Sequence, residues 1–72
     1  MDERVEVQRH LTLEDGEEGS RVILRVVDPS GRYEDRHAEA TLFDPDPPQP
    51  VVEVALVSLR RYLADHHPLT DG

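Results

Sequence analysis

The sequence predicts an α+β domain: a three-stranded antiparallel β-meander with one C-terminal helix packed on one face. Three observations carry this. Val5, Val7, Leu11 and Leu13 alternate with Glu6, Gln8, His10 and Thr12, the period of a half-buried strand. Asp28-Pro29-Ser30-Gly31 places Asp first, Pro second and Gly fourth, the preferences of a type I turn. Val52, Leu56, Leu59 and Leu63 recur at i, i+4, i+7 and i+11, one face of a helix.

The elements follow in order. The first strand is expected over about 4–13, with Arg9 interrupting the apolar parity. Residues 14–19 hold two glycines and four acids and read as a loop. Residues 20–27 are rich in Val, Ile and Leu on both parities, as a central strand requires. After the Asp28–Gly31 turn a more polar edge strand is expected over about 33–43. Four prolines in 44–50 end the sheet and form a stiff connector into the helix. Asp46 can cap that helix with Pro47 at its first position and Gln49 completing a capping box, or Gln49 can cap with Pro50 first. The helix is expected over about 50–66, the β-branched run 51–57 leaving a fourth strand as the alternative. Pro68 stops the helix, and a loose tail over 68–72 completes a single domain, 1–72.

A register follows from pairing Leu13 with Ser20 and Val27 with Tyr33. Leu11 then faces Val22, which faces Ala38; Val7 faces Val26; and Arg9 faces Leu24, which faces Arg36. The same register sets Arg25 against Asp35 and Arg21 against Glu39, opposite-charge pairs that contribute about 0.2–1 kcal/mol each. Ala38, Ala40 and Leu42 keep the helix-facing side apolar. The other side carries Glu6, Gln8, His10, Thr12, Arg21, Ile23, Arg25, Val27, Tyr33, Asp35, His37 and Glu39. Within it His10, Arg21, Ile23, Arg25, Val27, Tyr33 and His37 form the candidate interface, because a chain this small covers only one sheet face itself.

Composition narrows the function. Sixteen acidic residues stand against eight basic ones, a net charge of −8 with a pI near 4.7. Such a surface repels nucleic acid and anionic lipid and suits a basic partner. All the basic residues counted are Arg, and the chain has no Lys and no Asn. Both have AT-rich codons, so the usage points to a GC-rich bacterial genome. Without Cys, disulfides, thiolate metal sites and a thiol nucleophile are excluded. The acidic start is no signal core, and the longest apolar-rich run, 51–59, falls short of the ~20 residues that span a bilayer. A soluble, cytoplasmic protein is expected.

Site chemistry is sparse. His10 and His37 fall two strand spacings apart, roughly 9–10 Å, too far to share one metal ion. His66 and His67 diverge at a helix end, and there is no H-x-x-x-H or H-E-x-x-H. Ser20, Ser30 and Ser58 lie outside nucleophile motifs. The acids beside Gly16 and Gly19 oppose phosphate binding. No catalytic residue, metal or cofactor is expected, and the chain reads as no enzyme.

Val5-Glu6-Val7, the run 12–20, Ala38-Glu39-Ala40-Thr41-Leu42, the segment 44–50 and Glu53-Val54-Ala55-Leu56-Val57-Ser58-Leu59 together resemble a family of small actinobacterial proteins of unknown function with a fold like the double-stranded-RNA-binding domain (the DUF1876 type). The resemblance is one of spacing across most of the chain. Pro47-Pro48-Gln49-Pro50 and the Val-rich helix start depart from it. It implies the β-β-β-α order and no activity. RNA binding does not come with it, since Asp44, Asp46 and Glu53 stand at the helix start where cations would meet phosphate.

The expected function is therefore a non-catalytic protein–protein interaction module. It is expected to be a homodimer through the outer sheet face or the third-strand edge, and to dock a further, unidentified protein. One alternative is an acidic inhibitor or antitoxin-like protein masking a basic nucleic-acid-binding surface. Others are a small accessory subunit of an enzyme, or nucleic-acid binding through Arg21, Arg25 and Arg36.

Overall fold

A computed structural model describes residues 2–66. Strand β1 (Asp2–Thr12), strand β2 (Glu18–Val27), strand β3 (Arg36–Leu42) and helix α1 (Gln49–His66) follow in that order. The sheet is antiparallel in the order β1-β2-β3, and α1 packs on β2 and β3. The α+β meander with one C-terminal helix is the observed architecture. Residues 51–57 are helix and not a fourth strand. The expected stop at Pro68 and the tail lie outside the described residues.

The core forms where β2 meets α1. Val22, Leu24, Val26 and Ala38 from the sheet bury against Val52, Ala55, Leu56, Leu59 and Leu63, with Val7, Ala40 and Leu42 packed around them. The helical spacing thus does its expected work. Each fully buried Val or Leu contributes about 1.5–3 kcal/mol. At its far end Arg60 of α1 grips Glu3 of β1, with Nε 3.0 Å from Oε2 and Nη2 3.0 Å from Oε1. The hydrogen bond from Arg60 lowers the Glu3 pKa, so the pair's contribution is complete above the ordinary Glu range and is lost as pH falls through the depressed value. Both side chains are over 40% exposed, which keeps that contribution small.

The registers differ from those expected. Between β2 and β3, Val22 faces Ala40, Leu24 faces Ala38 and Arg25 faces His37. Arg21 faces Thr41, and Ile23 faces Glu39. The Arg25–Asp35 and Arg21–Glu39 pairs do not form across the strands. The reason lies in the turn. Gly31 donates its N–H to the Asp28 carbonyl (3.0 Å), as a type I turn requires. The Asp28 carboxylate, its pKa lowered chiefly by the hydrogen bond from the Ser30 hydroxyl, also accepts the Tyr33 N–H at 2.9 Å. Residues 33–35 are therefore held in the connection, and β3 begins at Arg36.

Between β1 and β2, Val5 faces Leu24 and Val7 faces Val22. The hairpin closes more tightly than expected. Leu13 N–H donates to the Glu17 carbonyl (2.7 Å) and Gly16 N–H to the Leu13 carbonyl (2.9 Å), with Gly16 at φ 83°. This is the three-residue hairpin loop that ends on a left-handed residue, which glycine adopts without strain. Glu18 and Gly19, expected in the loop, are instead the start of β2.

A β-bulge then interrupts the ladder between Gln8 and Leu11. Arg9 and His10 together oppose Ser20. His10 takes φ 55° and donates its N–H to the Pro45 carbonyl (2.9 Å). Arg9 Nε lies 3.1 Å from Asp46 Oδ1, and the buried Ser20 hydroxyl donates to the Asp44 carbonyl (2.7 Å). The bulge is thus the seat of the proline-rich connector. Arg9 does not face Leu24, and Asp46 does not cap α1. The Pro48 carbonyl opens the helix, accepting from Val51 and Val52 at 3.0 and 3.2 Å.

Candidate interaction surface

The bulge changes which residues share a face. One extra residue in a strand inverts the side-chain alternation beyond it. Val5 and Val7 point with Val22 and Leu24 toward the helix side. Past the bulge, Leu11 faces Gly19 and so lies on the opposite, outer side with Arg21. Leu13 follows it. A methyl group built on Gly19 would come within 2.6 Å of Leu13 Cδ1. Leu11 facing Val22 is therefore corrected: Leu11 and Leu13 belong to the uncovered face.

That face has three cross-strand rows. Arg4, Arg25 and His37 form one; Glu6, Ile23 and Glu39 the next; Gln8, Arg21 and Thr41 the third. Beyond the third row Leu13, Arg21, Thr41 and Phe43 line an open hollow of about 460 Å³ with Glu14 and Asp15 at its rim. Phe43 is 76% exposed there. Arg21 Nε is shielded from water and has no hydrogen-bond partner among the described residues. A shielded donor without an acceptor is costly, and a partner's carbonyl or carboxylate would relieve it.

Of the residues expected at the interface, Arg21, Ile23, Arg25, Val27 and His37 lie on this outer face. Two do not share it. His10 sits in the bulge, held by Pro45, and Tyr33 sits in the β2–β3 connection with the Arg32 guanidinium 5.4 Å from its ring centre. Asp35 also leaves the face by remaining outside β3, while Thr12 stays at the hollow beside Leu13. Leu11, Leu13, Arg4, Thr41 and Phe43 join it unannounced. Glu14-Asp15-Gly16 was the available signal for the two leucines, since a tight hairpin there forces a bulge further along if Val5 and Val7 are to reach the core.

The charge on this surface is mixed: Arg4, Arg21 and Arg25 stand against Asp2, Glu6 and Glu39 in the strands and Glu14 and Asp15 at the hollow. Among the described residues no group of three His, Cys, Asp or Glu is placed to hold a metal ion, and no helix is long and apolar enough to cross a membrane.

Fold and surface together define a two-layer α+β domain in which the described residues leave one sheet face bare. Comparison with known proteins finds no matching family model, no matching curated sequence and no matching solved structure.

Proposed function

We propose that this chain is a non-catalytic, cytoplasmic protein–protein interaction module, working as a homodimer, whose outer sheet face docks a partner protein. The observation that carries the reading is the bulge-driven transfer of Leu11 and Leu13 to a face that already holds Ile23, Val27 and Phe43. Interface centres are depleted in charge overall and enriched in aromatic residues and Arg. This face supplies the aromatic Phe43 and three Arg, with Glu6 and Glu39 on either side of Ile23. Its hollow suits an apolar side chain accompanied by an acceptor for Arg21 Nε. An enzyme is among the partners such a surface would accept, which would make the chain an accessory subunit. Masking of a nucleic-acid-binding protein would use a dense carboxylate array, whereas the carboxylates of the outer face are interleaved with Arg4, Arg21 and Arg25.

A photo-crosslinking side chain at Ile23, compared with one at Val57 on the exposed side of α1, tests this in extract of the source cells. The reading expects an adduct from Ile23 that survives high salt and disappears with Phe43→Asp. Adducts from Val57 alone would remove the outer face from the account. An adduct lost steeply as salt rises would favour the acidic-inhibitor reading, because screening weakens charge-led association.

A further inference from the structure

We propose that the free edge of β1 pairs antiparallel with β1 of a second copy, centred on Val5, joining two sheets into one of six strands. The proposal rests on the homodimer part of the reading above and says where the copies meet.

β1 ends the order β1-β2-β3, so among the described residues one of its edges has no strand beside it. The helix packs on β2 and β3 and reaches β1 through Arg60 at Glu3, and Val5 is 47% exposed although it points to the helix side. The charge rows give the register. Arg4 lies directly opposite Arg25, with His37 beyond, and like charges across strands are destabilising. Neither Arg4 nor Arg25 makes an ion pair among the described residues. The neighbouring row offers Glu6 at the same edge, with the Gln8 amide donating to its Oε2 at 2.6 Å.

Antiparallel pairing about Val5 sets Arg4 opposite the second copy's Glu6, and by symmetry Glu6 opposite its Arg4. The basic row of each copy then continues into the acidic row of the other. On the helix side Val5 meets Val5, closing the strip that α1 leaves open. Neighbouring registers lack this match. Centring on Arg4 opposes Arg4 to itself, and centring on Glu6 or Glu3 opposes carboxylates. Half-step registers set helix-side residues against outer ones, which the pleat forbids. The interface is isologous, as a two-fold dimer requires, and the bulge at Arg9 and His10 confines it to residues 2–8.

The test is sedimentation and light scattering of four proteins: wild type, Arg4→Glu, Glu6→Arg and the double exchange. The wild type should dimerise. Each single variant should weaken dimerisation about ten- to a hundredfold, from two attractive pairs made repulsive. The double exchange should restore it, and mixing the two single variants should yield the heterodimer, since each then meets its opposite. Far-UV circular dichroism confirms that each variant is folded. Phe43→Asp should abolish outer-face adducts and leave the dimer intact, which separates failure of the docking face from failure of this edge. A wild type that remains monomeric at millimolar concentration overturns the proposal. So does Arg4→Glu dimerising as tightly as wild type, or single variants that do not combine.

Discussion

Leu24→Ala is expected to remove about 2–5 kcal/mol of stability, the range for emptying a packed Leu site. Leu24 has no exposed surface, and it lies between Val5 and Ala38 on the central strand. A chain of 72 residues has roughly 4–11 kcal/mol in all at the usual value per residue. The substitution therefore takes about a fifth of the total or more and should lower the thermal midpoint by about 10 °C or more. Urea titration at fixed protein concentration measures it. A loss under about 1 kcal/mol would mean that the β2–α1 layer is not the core.

Gly19→Ala should be the most damaging change outside that core. A Cβ there would lie 2.5 Å from the Leu42 carbonyl oxygen and 2.6 Å from Leu13 Cδ1. The Leu13 side chain can turn away, but the carbonyl belongs to the β3 backbone, so the sheet itself must move. Overpacking of this kind costs about 1–3 kcal/mol or more. The change also pushes Leu13 out of the outer hollow. Gly16→Ala is the matched comparison: nothing lies within 4 Å of its added methyl, and only its φ of 83° opposes the change, at roughly 1–2 kcal/mol. Gly19→Ala should cost at least as much and should alone disturb the Leu13 and Phe43 methyl and ring resonances. If Gly19→Ala is neutral, Leu13 does not sit over β2, and the inversion past the bulge is wrong.

The elements legible in the sequence were those written in short-range pattern. Val52, Leu56, Leu59 and Leu63 name a helix face because their spacing depends on nothing else. Asp28-Pro29-Ser30-Gly31 names a turn for the same reason. Register is not legible, since pairing Leu13 with Ser20 and Val27 with Tyr33 draws only slight support from Arg25–Asp35 and Arg21–Glu39. Such pairs contribute less than 1 kcal/mol or so, while each side chain brought into the core contributes about 1.5–3. Both registers put Val22, Leu24 and Val26 on the helix side, so the Asp28 turn and the tight Glu14-Asp15-Gly16 hairpin decide between them. Up to the bulge the slips were even-numbered, so Val5, Val7, Val22, Leu24 and Val26 kept their face, whereas past it the slip is odd and Leu11 and Leu13 lost theirs.

The bulge was hidden for a different reason. His10 takes its left-handed backbone where the Pro45 carbonyl receives its N–H, thirty-five residues along the chain. Arg9 interrupts the alternation because it holds Asp46, not because it faces the core. A contact of that range leaves no trace at Arg9 and His10 themselves, and the signal for the bulge lay in the tight hairpin at Glu14-Asp15-Gly16. Its consequence, the transfer of Leu11 and Leu13, is the largest difference between the expected surface and the one observed. It made the outer face more apolar than alternation alone allows.

Association with protein is the central claim, and the first partner it requires is a second copy. The most direct measurement is the solution mass of the wild-type chain by light scattering after size exclusion, at low and at high salt. The account predicts twice 8.2 kDa, weakened only modestly as salt rises, because backbone pairing and Val5 contact carry most of the joint. A mass of 8.2 kDa at every salt and at millimolar concentration would contradict it.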